Sequence, residues 1–449
     1  MRAIERVAAV LFLGAGAALG DANPAPRPAA HEPTPAEAAL AAQLELLNPA
    51  ALGRLADDWA ATWGTNAAAQ AVRAFAAALD ARRSAARAAL TCADAAPARA
   101  LLAEHRRVVA RHPLVKDLRI LSLKHIVDAA HARRDEHPAA PWFSCYNGLD
   151  AAKGNDTKIV ALSGFADEAV AEAVLFDPPG RGSIHAMDLH WDAGRAVFSH
   201  VPANTNVWRL YEADLRTGAG TALLPDAFAH EADDCCFLPD DKVVFTSDAA
   251  EQGLPCESGR WRMTNMYRLD PATKAIMRLT YDQDSDWYPS VLNDGRVQYV
   301  RWEYCDISHY FSRIVMTMRP DGTRQMGFYG SNGYWPNHFG SPLAIPGDNG
   351  KFVCIATGHH TPKSGKIALF DANRARAEAA GCVQLVPGWG KTPKDRVMDR
   401  LYQGDYPTAL TPYPLGTTPQ DGAGKYFLCA MKPSKTALWG IYLVDVFDN

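Results

Sequence analysis

Histidines, carboxylates and amides recur along this chain in short sets, each leading into a β-type run. His185, Asp188 and His190 form the first set, and His230, Glu231, Asp233 and Asp234 the second. Asp284 and Asp286 follow, then Asn332, Asn337 and His338, then His359 with His360. Imidazole nitrogens and carboxylate oxygens ligate divalent metals, and together with amides they also hold polar ligands. His230, Asp233 and Asp234 are the most ligand-like local set and the candidate metal ligands. Zinc, iron and calcium all fit those ligand types. The candidate ligand-binding residues beside them are His185, Asp188, His190, Asp286, Asn332, Trp335, His359 and His360. A structural role competes at each position, because Asp and His before a strand often bond neighbouring backbone that would otherwise be buried unpaired. Adjacent residues on a strand point to opposite faces, so only one of His359 and His360 can face a common site. Trp287, Tyr288, Trp302, Tyr334 and Trp335 read as core first and as a ligand platform second.

Other chemistries lack their motifs. There is no Gly-x-Ser-x-Gly elbow, no phosphate-binding Gly-x-x-x-x-Gly-Lys-Ser/Thr loop and no Gly-x-Gly-x-x-Gly after a strand. No Cys-x-x-Cys occurs, which removes the zinc ribbon and the haem c attachment sequence Cys-x-x-Cys-His. No covalently attached haem c is expected. A net charge of -4 over 449 residues gives no polyanion-binding surface, so nucleic acid is not an expected partner. No catalytic residue stands out.

The elements that must position these sets come in two styles. Residues 34–112 read as an Ala-rich helical region. Thr34-Pro35-Ala36-Glu37 is a capping box with Pro at the first helical position, Asn48-Pro49 repeats the start signal, and Asp94 is placed to cap a fourth helix. From residue 115 to 449 helical periodicity gives way to short β runs punctuated by Asp-Gly, Pro-Asp and Asn-Gly turns. These runs repeat. The stretch from His185 to Ser199 resembles that from His230 to Ser247 and that from Asp286 to Tyr299, with weaker copies from Trp335 and from Tyr406. Phe198, Phe245, Tyr299, Cys354 and Leu428 are taken as equivalent. A period of about 40 to 55 residues with four strands per unit marks a β-propeller. Five units are visible, and strand-like pieces before them supply a sixth. The expected fold is therefore mainly β, a six-bladed propeller with seven as the alternative, preceded by the helical region. The last unit is one strand short: an N-terminal strand closes it, or the chain is a piece of a longer protein. The sets listed above then fall where each innermost strand begins, around one mouth of the central channel.

Before the helices, Met1 to Gly20 has two arginines, an apolar run and small residues. This reads as a secretory signal over residues 1–22, with a retained anchor as the alternative, followed by a Pro- and Ala-rich linker over 23–33. The expected location is periplasmic or extracellular, with no integral membrane span after signal cleavage. Nine cysteines fit an oxidising compartment, and a bridge from Cys235 or Cys236 to Cys256 would staple a loop to its blade.

One resemblance covers about residues 115–449. Glu231 to Pro239, Leu292 to Arg296 with Arg301 to Tyr304, Gly330 to Pro336, Gly358 to His360, and Leu438 to Asn449 resemble, as a series, the middle propeller domain of the hydrazine synthase alpha subunit and its exported relatives. The resemblance implies a six-bladed propeller of the broad class that includes TolB-type repeats. It does not carry the activity over, because that family's haems sit outside the propeller on Cys-x-x-Cys-His. Three functional expectations follow. The first is an exported binding or scaffold propeller that recognises a small polar ligand or a protein partner through its channel mouth. The second is a metal-dependent enzyme at that mouth. The third is a subunit of a periplasmic redox complex.

Overall fold

The computed structural model describes residues 32–127, 155–165, 170–203, 205, 207–254, 259, 262–304, 312–361, 363–435 and 437–449. The proposed signal over 1–22 and nearly all of the linker over 23–33 lie outside the described residues. No helix among the described residues is long and apolar enough to cross a membrane.

Four helices come first: α1 (Pro35–Leu46), α2 (Pro49–Trp63), α3 (Ala67–Leu90) and α4 (Ala96–Val109). Thr34 Oγ1 accepts from the Glu37 amide at 3.3 Å, and Glu37 Oε2 accepts from the Thr34 amide at 2.8 Å. Each bond satisfies an amide that the helix itself leaves unpaired. Asn48 and Asn66 cap α2 and α3 in the same manner. Asp94 lies one residue earlier than a cap: α4 begins after Ala95, and Asp94 Oδ1 accepts from the Ala96 amide at 3.0 Å.

The rest is strands. β1 (Ile120–Val127), β2 (Asn155–Ser163) and β3 (Ala171–Phe176) form an antiparallel group. One parallel pairing, Asp156 with Gly182, joins it to β4 (Gly182–Leu189), β5 (Arg195–Pro202), β6 (Arg209–Asp214) and β7 (Gly220–Ala222). Three separate four-stranded sheets follow. They are β8 (Ala232–Phe237) with β9 (Val243–Ser247), β10 (Asn265–Leu269) and β11 (Ile276–Arg278); β12 (Asp286–Val291) with β13 (Val297–Glu303), β14 (Ser312–Met318) and β15 (Met326–Tyr329); and β16 (His338–Ala344) with β17 (Lys351–Thr357), β18 (Lys366–Asp371) and β19 (Cys382–Leu385). β20 (Thr408–Pro414), β21 (Tyr426–Lys432) and β22 (Gly440–Asp445) make a three-stranded sheet.

In each four-stranded unit the strands pair in chain order, and β4, β8, β12, β16 and β20 are successive neighbours. This is a β-propeller arrangement of four four-stranded blades with a three-stranded group at each end. Apolar residues that alternate along the strands meet between blades rather than within one sheet. Val197, Leu210, Phe237 and Phe245 fill one such seam, and Trp287, Trp302, Phe339, Phe352 and Phe370 another. Burial of each large side chain contributes roughly 1.5–3 kcal/mol, and the aromatic contacts add to it.

The helices pack on the last sheet. Trp59, Phe75, Leu79 and Leu101 share a core with Leu415 and Tyr426. Lys425 Nζ lies 2.6 Å from Asp58 Oδ1, Tyr426 hydroxyl donates to Asp58 Oδ2, and Arg54 Nη2 donates to the Phe447 carbonyl at 2.5 Å.

Candidate functional site

The same irregularity interrupts all five innermost strands. In β4, β8, β12, β16 and β20 three residue steps oppose two on the partner strand, between His185 and Asp188, Asp233 and Cys236, Trp287 and Ser290, Gly340 and Leu343, and Leu410 and Tyr413. The first extra residue has a left-handed backbone each time: Ala186 (φ 46), Asp234 (φ 42), Tyr288 (φ 54), Ser341 (φ 46) and Thr411 (φ 45). Such bulges turn side chains to a new direction and leave one residue outside the ladder. That position tolerates Pro, which has no amide to pair, and Pro289, Pro342 and Pro412 occupy it in three strands. A Tyr and a β-branched Thr in the left-handed region hold local strain that the surrounding packing must maintain.

Matching the bulges sets the true equivalence of the repeats. His185 corresponds to Asp233, Trp287, Gly340 and Leu410, and Asp188 corresponds to Cys236. The expected alignment of His185 with His230 is thus three residues out of step. Likewise Cys429, not Leu428, is the fifth counterpart of Phe198, because it lies between the residues paired with Leu410 and Tyr413.

This register brings β4 and β8 together. His185 Nδ1 lies 3.0 and 2.9 Å from the two carboxylate oxygens of Asp233. Asp233 is fully buried. Ser199 hydroxyl donates to Asp233 Oδ1 and lies 2.7 Å from the His185 carbonyl, and Thr246 hydroxyl donates to the Asp233 carbonyl at 3.0 Å. Burial opposes a charge on His185, but the Asp233 carboxylate and its hydrogen bond outweigh burial, and Asp234 adds to them, so its pKa rises to about 9. Burial likewise opposes the Asp233 charge, and His185 and Ser199 outweigh it, holding Asp233 below the usual carboxylate range. The two form an ion pair at neutral pH. His185, Asp233 and Asp234 each offer one ligand atom, all within 4.8 Å of one another, and these three could hold a divalent ion.

His230 is not in this group. It precedes β8, and its Nδ1 lies 3.8 Å from Asp248 Oδ1 and 4.0 Å from Glu251 Oε1. Beside it, Glu231 is raised to about 8 by burial and by the Asp248 and Asp233 carboxylates.

Polar contacts continue around the ring. Asp234 Oδ2 accepts from the Tyr288 amide at 3.2 Å, and the Tyr288 hydroxyl lies 3.4 Å from His338 Nε2. Burial and the Asp233 and Asp234 carboxylates push the Tyr288 phenol up, so it stays neutral. His338 is fully buried, and burial together with Lys363 and Arg313 holds its imidazole well below its ordinary pKa. Arg313 stacks its guanidinium 4.2 Å from the Trp302 ring centroid and donates to His359 Nδ1. The β8 carboxylates thus connect through Tyr288 to the neutral His338 on β16.

The other candidates lie elsewhere or are already engaged. Asp188 Oδ2 accepts from the Phe237 amide at 2.8 Å, stitching one blade to the next, and burial raises its pKa to about 6. His190 lies just past the far end of β4 from Gly182, near Asp192, Arg195 and Asp241. Asp286 is fully buried, accepts from Thr280 hydroxyl at 2.5 Å and sits 3.7 Å from Arg301. Asn332 lines a separate open cavity of about 190 Å³ with Glu303 and Tyr334. Trp335 is core, packed against Phe370. His360 Nδ1 pairs with Asp399 at 2.8 Å, while His359 turns to Arg313, so the two rings serve different partners. Cys235 and Cys236 are buried thiols, and Cys256, the bridge partner expected for one of them, lies outside the described residues. The bulge turns Cys235 Sγ toward the Ala186 carbonyl of the adjacent blade, 3.0 Å away. Sequence reasoning passed over Ser199, which strand pairing sets opposite His185, and Arg313, which it sets opposite Trp302.

No protein-family model matches the chain, and no curated protein matches it. Among solved structures, hydrazine synthase of Kuenenia stuttgartiensis matches with a TM-score of 0.50 at 14% identity, over 73% of this chain and 43% of that one. This chain thus corresponds to less than half of that protein's length. TolB from Acinetobacter baumannii matches with a TM-score of 0.37 at 14% identity, over 67% of this chain and 62% of that one. Oligogalacturonate lyase from Vibrio parahaemolyticus gives 0.37 at 12% identity, over 74% and 98%. At such identities the likeness to the first is one of fold: a β-propeller.

Proposed function

We propose that this chain is an exported β-propeller that works as a binding module, taking a small polar ligand at the mouth where its innermost strands begin. We count six blades, with the β1–β3 and β20–β22 groups as the first and last. Ile159 and Phe176 packing with Ile184 and Phe198 supports the first of these as a blade. The Arg2-containing head and the apolar run after it support export to the periplasm or beyond.

One observation carries the binding reading. His185 on β4, Asp233 and Asp234 on β8, Tyr288 on β12 and His338 on β16 form an unbroken line of polar contacts across four consecutive blades. Propeller channels commonly bind where loops from every blade converge, although the fold does not fix what they bind. The test is thermal unfolding of the full chain against a panel of amino acids, dicarboxylates, sugar acids and neutral sugars. At least one class should stabilise the wild type and lose its effect in Asp233→Asn and Tyr288→Phe. A panel with no hit, or a hit untouched by both variants, rejects the reading.

A divalent ion is the second reading, favoured by the convergence of His185, Asp233 and Asp234. Elemental analysis of the purified chain before and after chelation decides it. About one zinc, iron or calcium per chain, lost in an Asp233→Ala, Asp234→Ala double variant, supports the reading; no retained metal removes it.

A further inference from the structure

The loop from Gly330 to Pro336, between β15 and β16, is fixed at several points. The Gly330 amide donates to the Arg376 carbonyl at 2.8 Å, and the Tyr334 amide donates to Glu378 Oε1 at 2.7 Å. Trp335 is buried against Phe370. Gly330 has φ 90, and a Cβ there would meet the Arg313 carbonyl at 2.9 Å, so the turn requires glycine. A loop held in this way presents Ser331, Asn332 and Tyr334 in set positions, and all three are exposed. They line the open cavity of about 190 Å³ together with Glu303, the last residue of β13. Ile314 and Met316 of β14 line it as well, and at 6% exposure each they give it an apolar floor. Gly327 of β15 leaves room in it: a Cβ there would stand 3.4 Å from Ser331 Cβ and 3.9 Å from Ile314 Cγ2. Sites for drug-sized molecules run to about 300–1,000 Å³, so this one takes a single small ring. Among the described residues, the Ser331 hydroxyl and the Asn332 amide make no hydrogen bond, and the ion partner of the Glu303 carboxylate, Arg301 Nη1, is 3.9 Å away.

We propose that this cavity is a second binding site, separate from the channel mouth, and that it holds one neutral sugar ring. Such a ring carries hydroxyls that both donate and accept around its edge, and its C–H face is apolar. The Asn332 amide, the Ser331 hydroxyl and the Glu303 carboxylate pair with the edge, while Ile314, Met316 and the Tyr334 ring meet the face. Other classes fit less well. An anion would meet the Glu303 charge. A purely apolar ligand would bury Glu303, Ser331 and Asn332 without partners. An ammonium has no acceptor for the Asn332 and Ser331 donors. The proposal does not rest on the channel-mouth reading, because the cavity lies toward the outer strands β14 and β15, and neither Asp233 nor Tyr288 lines it.

The probes are the methyl glycosides of glucose, galactose, mannose and N-acetylglucosamine, with acetate and methylammonium as charged controls. Saturation-transfer NMR on the full chain reads weak binding and, by titration, its Kd. At least one glycoside should bind, with transfer strongest at the C–H protons of one ring face. Asn332→Gly removes the amide and suits the left-handed backbone at that position (φ 57), so it should leave the fold intact and weaken binding roughly three- to tenfold. Tyr334→Ala should abolish binding, and Asp233→Asn should leave it unchanged. Circular dichroism checks that each variant is folded. The proposal is overturned if no glycoside binds, if both loop variants bind as well as the wild type, or if a charged control binds in an Asn332-dependent manner and the glycosides do not. Glycoside binding that is lost in Asp233→Asn and kept in the loop variants would place the sugar at the channel mouth, supporting that reading and rejecting this one.

Discussion

Replacing His185 by Gln tests the ion pair at the mouth. Asp233 keeps its Ser199 bond but loses the imidazolium that balances it. In the fold His185 titrates near 9, against 6.5 when unfolded. At about 1.36 kcal/mol per pH unit, that difference corresponds to roughly 3 kcal/mol. The sign follows from linkage. A histidine whose folded pKa is raised contributes its full stability below pH 6.5 and loses it as pH climbs through about 9. Asp233, held low in the fold, stays ionised across that window and loses its contribution only as pH falls into the acid range. Glu231, raised to about 8, and Lys366, lowered to about 8 by burial, titrate in the same window, so the wild-type curve alone cannot isolate His185. The informative quantity is the stability difference between the wild type and His185→Gln, measured by urea unfolding of chelator-treated protein from pH 6 to 9.5. It should be about 3 kcal/mol at pH 6 and shrink toward zero by pH 9.5. A difference that stays flat, or grows with pH, would refute the ion pair.

Three further outcomes follow from the packing. Trp59→Ala empties the centre of the helical core, where Trp59 is fully buried and meets His112 edge-on at 4.8 Å; it should cost about 3–5 kcal/mol, read as a lowered unfolding midpoint. Asp58→Ala leaves the Tyr426 hydroxyl and Lys425 without their partner and should cost about 1–3 kcal/mol, with faster tryptic cleavage between the helices and β1. Ala186→Gly places the residue best suited to a left-handed backbone in the β4 bulge and should raise the thermal midpoint, by up to about 1 kcal/mol in stability; a fall would mean the Ala186 methyl packs better than its backbone strain costs.

The helix starts were legible because Thr34, Asn48 and Glu37 carry their own cap chemistry, which is local. The four-stranded repeat was legible as well, since Phe198, Phe245, Tyr299 and Cys354 occupy matching ladder positions. The bulges were not read, and they decide the site. A one-residue insertion flips which side chains face the centre, so an alignment made by chemical likeness, His185 with His230, put the metal set together wrongly. The signal was present in Tyr288-Pro289, Ser341-Pro342 and Thr411-Pro412, prolines inside runs that otherwise read as central strands. Arg313 could not be found from sequence spacing, because its contact with His359 depends on how β14 and the turn after β17 approach each other.

The contact between Asp58 and Lys425 spans 367 residues of sequence. The helices are made before the strands they pack on, yet Trp59 and its neighbours complete their core only when Leu415 and Tyr426 arrive. Until then the apolar faces of α2 and α3 have only each other and the short flanking helices, a poor substitute for a sheet. Closing so long a loop adds little entropy per extra residue but delays the reward until residues 415–426 have been made. The early segment is thus held in a waiting state during synthesis, exposed to chaperones and to self-association. Deletions within residues 415–449 should therefore act at a distance, unseating a helical segment made hundreds of residues earlier.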